Sequence, residues 1–432
     1  MRLRTFIALL IAAILNISAM LNPLAAQTTT VPMLPGTTQQ ISVAPGNQTS
    51  PHVACNLVSY TNDDLEGSST IRYLDFATNT EHVLPGNNLD RLSNTDGRHI
   101  AFTELSGTGD RIYIYDIASQ AVTLIPGNLN LGPAIGGNLV AFMHDNPALP
   151  RSFEIQVYDL NTGNVTQLTN DTLFDGPPSV SPDGKVVVWH KCQNLNATDC
   201  DVYSATQTGP GAFTTRLLAS DGDSRSPDTN GQLVVYLSDK GGDYDIYIQR
   251  VDGSNEMHLS LPGNQRDLRI SGNLIVFESE VAANSYDIFL YDLSSARLYQ
   301  VTNTPDHDET LSDIVTGCDG TNRIVYAVPG RFGDFDVYAF SFQLNDSVAD
   351  ELNDLIALVQ SFNLHDGIEA SLITKLQDAL AAVNTSNTAI ACDSLTAFIN
   401  ASSAQSGKKL TAGQVQQLVQ SATQIKSDLG CQ

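Results

Sequence analysis

Two short acidic segments carry the first chemistry this chain offers. DGDSRSPD at 221–228 and DHDE at 306–309 place Asp221, Asp223, Asp306 and Asp308 on polar stretches whose oxygens could surround a calcium ion. No EF-hand spacing accompanies them, so a solvated acidic rim is the competing reading, and calcium is the one cofactor suggested. Among the histidines, His52 and His307 stand close to the starts of apolar strands, where an axial site would lie. His144 and His190 follow the aromatics Phe142 and Trp189 by two residues and by one, so on alternating strands they face opposite ways. Ordinary hydrogen-bonded histidines are expected in preference to a metal-binding set. GxSxG, HExxH, a P-loop and the dinucleotide-binding GxGxxG are all absent, so no residue is assigned a catalytic role.

The strands that must position these groups belong to a repeat. Apolar runs ending in an aromatic recur at Tyr60, Phe102, Phe142, Trp189, Tyr236, Phe277 and Tyr326, about 40–50 residues apart, the length of one four-stranded propeller blade. Each is followed by a polar turn and a second strand such as RIYIYD or DIFLYD, and six copies have a third such as AVTLI or LYQVT. The seventh copy stops at Phe342, whereas QQISVAPGN at 39–47 reads like an outer strand with no blade before it. The expected fold is therefore mainly β: a seven-bladed propeller over 38–344, closed by an N-terminal strand that removes its open edges. Asp201, Asp245, Asp287 and Asp336 open one strand of successive copies, and Asp116, Asp159 and Asp292 close it. Recurrence marks them as braces for turn backbone. SPDG at 181–184 is read as a tight turn.

Arg2 and Arg4 precede an apolar stretch that ends in Leu24-Ala25-Ala26, the pattern of a signal peptide over 1–26, with a flexible linker over 27–37. Export makes disulfides the default for an even set of cysteines. Cys192 and Cys200 flank one hairpin, Cys392 and Cys431 share the tail, and Cys55 and Cys318 occupy matching turns of blades that closure makes neighbours. The formal charge of −25 argues against nucleic acid and against anionic membrane surfaces, and no transmembrane segment remains after the signal stretch. Longer loops on one rim, with Asp63, Asp171, Asp223 and Glu309 among their acids, are the expected interaction face for a protein or glycan.

Beyond Leu344 the apolar period changes to three and four, as in Leu352, Leu355, Ile356 and Val359, then Leu372, Leu376 and Leu380. Four helices are expected in a small all-α domain over 345–432, near 347–362, 367–384, 387–404 and 412–429, with Thr411 and Gln414 opening the last as a capping box.

Two resemblances add to this reading. Ala391, Cys392, Leu395, Phe398, Ile399, the run QSGKKLT at 405–411 and Gly430-Cys431 resemble the FIMAH domain, a helical module near the C-termini of bacterial exported and surface proteins. VTQLTND, PPSVSPDGKVVVW and GGDYDIYIQRVDGS resemble TolB-type, WD-like propeller repeats of bacterial envelope proteins. They imply a secreted, periplasmic or cell-surface location. The expected function is a non-catalytic propeller acting as a binding scaffold. The alternative is a carbohydrate-active enzyme, a polysaccharide lyase or glycosidase, using the central channel. Charged groups converging on that channel favour the enzyme; repeat-equivalent apolar and small residues favour the scaffold.

Overall fold

The computed structural model describes residues 31–42, 44–145, 152–193, 199–282, 285–304, 309–330, 334–344, 348–362 and 364–431. The expected signal peptide at 1–26 and the linker up to residue 30 lie outside the described residues, as do His307, Asp306 and Asp308. A short strand β1 (Thr37–Gln40) precedes seven antiparallel sheets. Blade 1 comprises β2 (Asn47–Ala54), β3 (Leu57–Asp63), β4 (Ser69–Asp75) and β5 (Thr80–Val83). Blade 2 comprises β6 (Asp90–Thr95), β7 (His99–Glu104), β8 (Arg111–Asp116) and β9 (Val122–Leu124). Blade 3 holds β10 (Asn130–Gly136), β11 (Leu139–Asp145), β12 (Phe153–Asp159) and β13 (Val165–Gln167). In blade 4 the inner strand is split into β14 (Phe174–Asp175) and β15 (Ser179–Val180), before β16 (Val186–Cys192), β17 (Cys200–Gly209) and β18 (Ala212–Ala219). Blade 5 is β19 (Ser224–Thr229), β20 (Leu233–Ser238), β21 (Asp245–Arg250) and β22 (Met257–Leu259). Blade 6 is β23 (Gln265–Ser271), β24 (Leu274–Ala282), β25 (Ser285–Asp292) and β26 (Arg297–Gln300). Blade 7 has β27 (Thr310–Thr316), β28 (Asn322–Pro329) and β29 (Phe335–Phe342), and takes β1 as its outer strand.

The repeat aromatics build the blades. Tyr60, Phe142, Trp189, Tyr236 and Phe277 have no exposed surface. Most of these rings stack on an aromatic directly across the sheet: Phe102 on Tyr113, Trp189 on Tyr203, Tyr236 on Tyr247, Phe277 on Phe289 and Tyr326 on Tyr338. Such cross-strand pairs add about 0.5–1.5 kcal/mol each beyond the area they bury, and they fix register. Between blades 3 and 4 the backbones nearly touch. A side chain at Gly184, whose φ is 70°, would meet the Gly136 carbonyl oxygen at 2.5 Å, so the SPDG turn needs glycine there.

Closure works at two levels. β1 pairs antiparallel with β29, from Thr37 opposite Ser341 to Gln40 opposite Tyr338. The strand begins earlier than its sequence pattern suggested, and the chain before it also holds blade 6: Leu34 N–H donates to Gln300 O at 2.8 Å, and the Leu34 side chain sits among Leu274, Tyr299 and Phe340. Near the axis, a Cys55–Cys318 disulfide joins blades 1 and 7, with α-carbons 4.7 Å apart. A second disulfide, Cys192–Cys200, crosses β16 and β17, and a third joins Cys392 to Cys431.

After blade 7 come α1 (Val348–Ser361), α2 (Asp366–Asn384), α3 (Thr388–Ala404) and α4 (Ala412–Asp428). Leu352, Leu355, Leu372, Leu376, Phe398 and Leu418 form their common core. The Thr411–Gln414 capping box opens α4. Asp354 on α1 forms an ion pair with Arg297 on β26, which links the helices to blade 6. No helix among the described residues is long and apolar enough to cross a membrane.

Deleting residues 27–41 is expected to bare the β29 edge and the apolar seats of Leu34 and Ile41. The thermal midpoint should fall by several degrees and aggregation should rise on warming, as light scattering would show. An unchanged midpoint with full solubility would mean that β1 does not close the ring.

Candidate functional site

The seven inner strands touch in a closed cycle, β2, β6, β10, β15, β19, β23, β27 and back to β2, and so surround a channel. In six of them one extra residue interrupts the pairing, at Thr49/His52, Arg91/Asn94, Leu131/Ala134, Arg225/Asp228, Arg266/Arg269 and Leu311/Asp313. Ser50, Leu92, Gly132, Ser226 and Asp267 take left-handed φ values at this bulge. Non-glycine residues rarely adopt that conformation, and a bulge re-aims the side chain that follows it. The residues so placed are His52, Asn94, Ala134, Asp228, Arg269 and Asp313. Ser179, at the start of β15, holds the same repeat position in blade 4.

This ring is polar and its members brace one another across blades. Asp313 Oδ2 accepts from Val53 N–H at 3.0 Å, Asn94 Oδ1 from Ile135 N–H at 3.3 Å, and Asp228 Oδ2 from Ile270 N–H at 2.8 Å. Each bond runs from one blade's ring side chain to the backbone just past the ring position of the next. Ser179 Oγ also donates to Asp228. Burial pushes the Asp228 carboxyl up, and the Arg269 charge is the largest opposing influence.

A cavity of about 380 Å³ opens on this ring between blades 6, 7 and 1. His52 and Arg269 supply its polar depth, Asp267, Thr49 and Thr310 its polar wall, and Phe335 an aromatic side. His52 Nδ1 lies between two partners, Asn94 Nδ2 at 3.2 Å and Asp313 Oδ2 at 3.3 Å. A proton on Nδ1 serves the carboxylate and leaves a lone pair on Nε2; a lone pair on Nδ1 accepts from the amide and puts the proton on Nε2. The first arrangement lets His52 act as a base through Nε2, and the imidazolium formed when it takes a proton can give that proton back.

Arg91, Arg225 and Arg266 hold in blades 2, 5 and 6 the position that Thr49 and Thr310 hold in the cavity wall. Arg91 pairs with Asp63 at 3.2 Å, Arg225 with Asp223, and Arg266 with Glu278. Arg225 lies over the Tyr244 ring and Arg266 over the Tyr286 ring, at 5.2 and 3.7 Å from the centroids. Burial pushes Glu278 up to about 7, with the nearby Asp267 charge acting in the same sense. Lys191 on β16 similarly faces Asp171 and, at 3.6 Å, Asp175.

The residues singled out in the sequence are distributed differently from the expectation. Asp223 is turned toward Arg225, accepts from Tyr244 Oη at 2.9 Å and from Cys200 N–H at 3.2 Å, and Asp221 is exposed. Their partners in the calcium expectation, Asp306 and Asp308, lie outside the described residues. Among the described residues no group of three or more histidines, cysteines or acids could hold a metal ion. Several acids of the rim face basic side chains of this chain rather than presenting a continuous open surface. His144 Nδ1 is 2.7 Å from Asn130 Oδ1, whereas His190 packs against Gly176, where burial and the Arg225 charge hold it down near 4. Asp116, Asp159 and Asp292 accept from turn N–H groups. Asp245 and Asp287 reach instead to the backbone of Leu261 and Thr304, past the outer strand. Sequence reasoning placed Asp228 in a loop and passed over Asn94, Arg269 and Asp313. Their shared offset would have appeared on aligning the inner strands, where Pro51, Pro133, Pro178 and Pro227 each precede the ring residue.

No family model matches the chain. Solved structures share its propeller. An acylaminoacyl peptidase from Pyrococcus horikoshii is 14% identical, with a TM-score of 0.53 over 70% of this chain and 52% of its own. The β-propeller domain of the Trilobed protease from Pyrococcus furiosus is 13% identical, with a TM-score of 0.54 over 70% of this chain and 99% of that one. An oligogalacturonate lyase in complex with manganese is 13% identical, with a TM-score of 0.52 over 72% of this chain and 99% of the lyase. The chain spans about half the length of the peptidase. Likeness at these identities establishes the fold. Because the propellers it resembles belong to peptidases and a lyase, the expectation of a non-catalytic scaffold is corrected, and the charged channel agrees with that correction.

Arg269→Met should leave Asp228 buried without the charge that offsets its burial, lowering stability by about 1–3 kcal/mol, and adding Asp228→Asn should recover much of the loss. Strictly additive losses in denaturant titrations would show that the two residues do not interact.

Proposed function

We propose that the chain is an exported carbohydrate-active enzyme working in the channel, and that its reaction is β-elimination on an acidic polysaccharide. The observation that carries this reading is the meeting of His52, set between Asn94 and Asp313, with Arg269 in one cavity. In such a reaction Arg269 would neutralise the substrate carboxylate, making the adjacent C–H more acidic. His52 Nε2 would take that proton, the C–H electron pair would become a C=C bond, and the glycosidic C–O bond would break, with the proton passing to the departing oxygen. Phe335 offers a face for a sugar ring.

Hydrolysis is less well supported. It needs two carboxyl groups flanking the scissile bond. Of the ring acids, Asp228 is engaged by Ser179 and Ile270 N–H, and Asp313 by Val53 N–H and His52. The likeness in fold to an oligogalacturonate lyase, over 99% of the lyase's length, also supports elimination. Three disulfides, and a helical tail similar to the FIMAH domain, support an oxidising location outside the cytoplasm.

The test is to incubate the whole protein with uronate-containing and neutral polysaccharides and to follow the ultraviolet absorbance of the new conjugated double bond. Signal is expected on uronates alone, with His52→Ala and Arg269→Ala each reducing it at least about 100-fold. Release of reducing ends without that absorbance would replace elimination with hydrolysis.

A further inference from the structure

At the end of each inner strand that leads into the channel, one residue is buried: Gln48, Asp90, Asn130, Asp175, Ser224, Gln265 and Glu309. In five blades the residue directly opposite on the second strand complements it. Gln48 Nε2 donates to Asn62 Oδ1 at 3.0 Å, Asn130 Oδ1 meets His144 Nδ1 at 2.7 Å, and Asp175 Oδ1 faces Lys191 Nζ at 3.6 Å. Ser224 and Ser238 hydroxyls are 2.9 Å apart, and Gln265 Nε2 donates to Ser279 Oγ at 3.5 Å. Blade 2 breaks this pattern, because Asp90 stands opposite Glu104, a carboxyl opposite a carboxyl. Asp90 is 1% exposed, and neither of its side-chain oxygens has a hydrogen-bond partner.

We infer that Asp90 keeps its proton in mildly acidic medium, and that its loss toward neutral pH loosens this end of blade 2, making β6 a pH-sensitive element beside the channel. A proton on Asp90 gives blade 2 a donor facing an acceptor, the match that the other five pairs have by composition. Burial, reinforced by the Glu104 charge, pushes Asp90 up to about 6, and the nearby Asn87 N–H, out of hydrogen-bonding geometry, only partly opposes this. Among the described residues no cationic side chain is hydrogen-bonded to Asp90. Arg91 on the same strand pairs with Asp63 of blade 1, and Asp110 holds Ser106 N–H. Arg111 stands opposite Glu104 on its other side, on β8. His52 on β2 meets β6 at Asn94, and Asn130 on β10 meets His144. The link from Leu84 to Leu89 carries no titratable group. Because β6 also carries Asn94, loosening it would disturb one of the two partners of His52 Nδ1. The inference itself rests on the strand register and holds whether or not the channel is catalytic.

Since the folded-state value lies above the ordinary one, the stabilisation is complete at acid pH below the ordinary aspartate range and is lost as pH rises through about 6. The experiment is thermal unfolding of the full chain between pH 5 and 7.5 for the natural protein, Asp90→Asn and Glu104→Gln, with chelator and, separately, with millimolar calcium or magnesium. Groups common to all three proteins cancel in the differences. The natural protein should trail Asp90→Asn by less at pH 5 than at pH 7.5, the gap widening by roughly 1–3 °C across that range. Glu104→Gln should narrow that gap by removing the opposing charge. A constant difference across the range would overturn the protonated Asp90. So would a gap at pH 7.5 that calcium or magnesium closes in the natural protein alone, because the pair would then hold a cation.

Discussion

A ring of seven sheets is stable only if its last sheet finds a neighbour, and here the two ends of the propeller must meet for any channel to exist. The chain meets this constraint at two radii. β1 lies on the outside of β29, and Cys55–Cys318 ties blades 1 and 7 close to the axis. The outer join is hydrogen-bonded and apolar, so it depends on Leu34 and Ile41 finding their seats; the inner join is covalent and spans 263 residues of sequence. In the chain-entropy account a loop of that size gains about 5.5 kcal/mol from its cross-link. The cavity at His52 borders the same seam, since blades 6, 7 and 1 form its walls. Ring closure and site assembly are therefore one event.

Polarity at the axis follows from geometry as much as from function. Seven inner strands converge where there is little volume for large apolar side chains, and the bulge leaves backbone N–H groups that need acceptors from the next blade. Asp313, Asn94 and Asp228 satisfy such groups, so three of the seven ring positions have a bracing task before any substrate is considered. What exceeds bracing is confined to one sector. His52 and Arg269 reach the cavity, whereas the matching position in blade 3 is Ala134. The departure from repeat equivalence, not polarity as such, locates the chemistry.

Much of the architecture was legible because it is written as recurrence. The aromatics from Tyr60 to Tyr326 marked seven second strands, the absence of a fourth strand after Phe342 pointed to the other terminus, and the change of period after Leu344 marked the helices. The site was harder to read for a physical reason. Inner strands are short, polar and bulged, so their residues look like loop in a linear pattern; DGDSRSPD contains the buried ring member Asp228 beside the exposed Asp221. Local acidity drew attention to calcium chemistry, while the cations that face acids around the inner strands, Arg91, Lys191, Arg225 and Arg266, are mostly brought to them by folding. Arg225 follows Asp223 by two residues, but Arg266 meets Glu278 across a strand pair and Lys191 meets Asp171 across blade 4.

Those pairings also resolve an apparent conflict between charge and substrate. A protein with a formal charge of −25 should repel an acidic polysaccharide, yet the proposed reaction requires one. At physiological salt the repulsion of distant surface charges fades within about 8 Å, so what an approaching acid group feels at short range is set by its immediate neighbours. Near the channel those neighbours include Arg91, Arg225 and Arg266, each already held in place by a carboxylate and, for the last two, by a tyrosine ring. Orientation of each guanidinium is fixed before a ligand arrives, so little side-chain entropy remains to be lost on binding. Net acidity and local capture of an anion are thus compatible on one molecule, because the first is summed over the surface and the second is decided within a few ångströms of the inner strands.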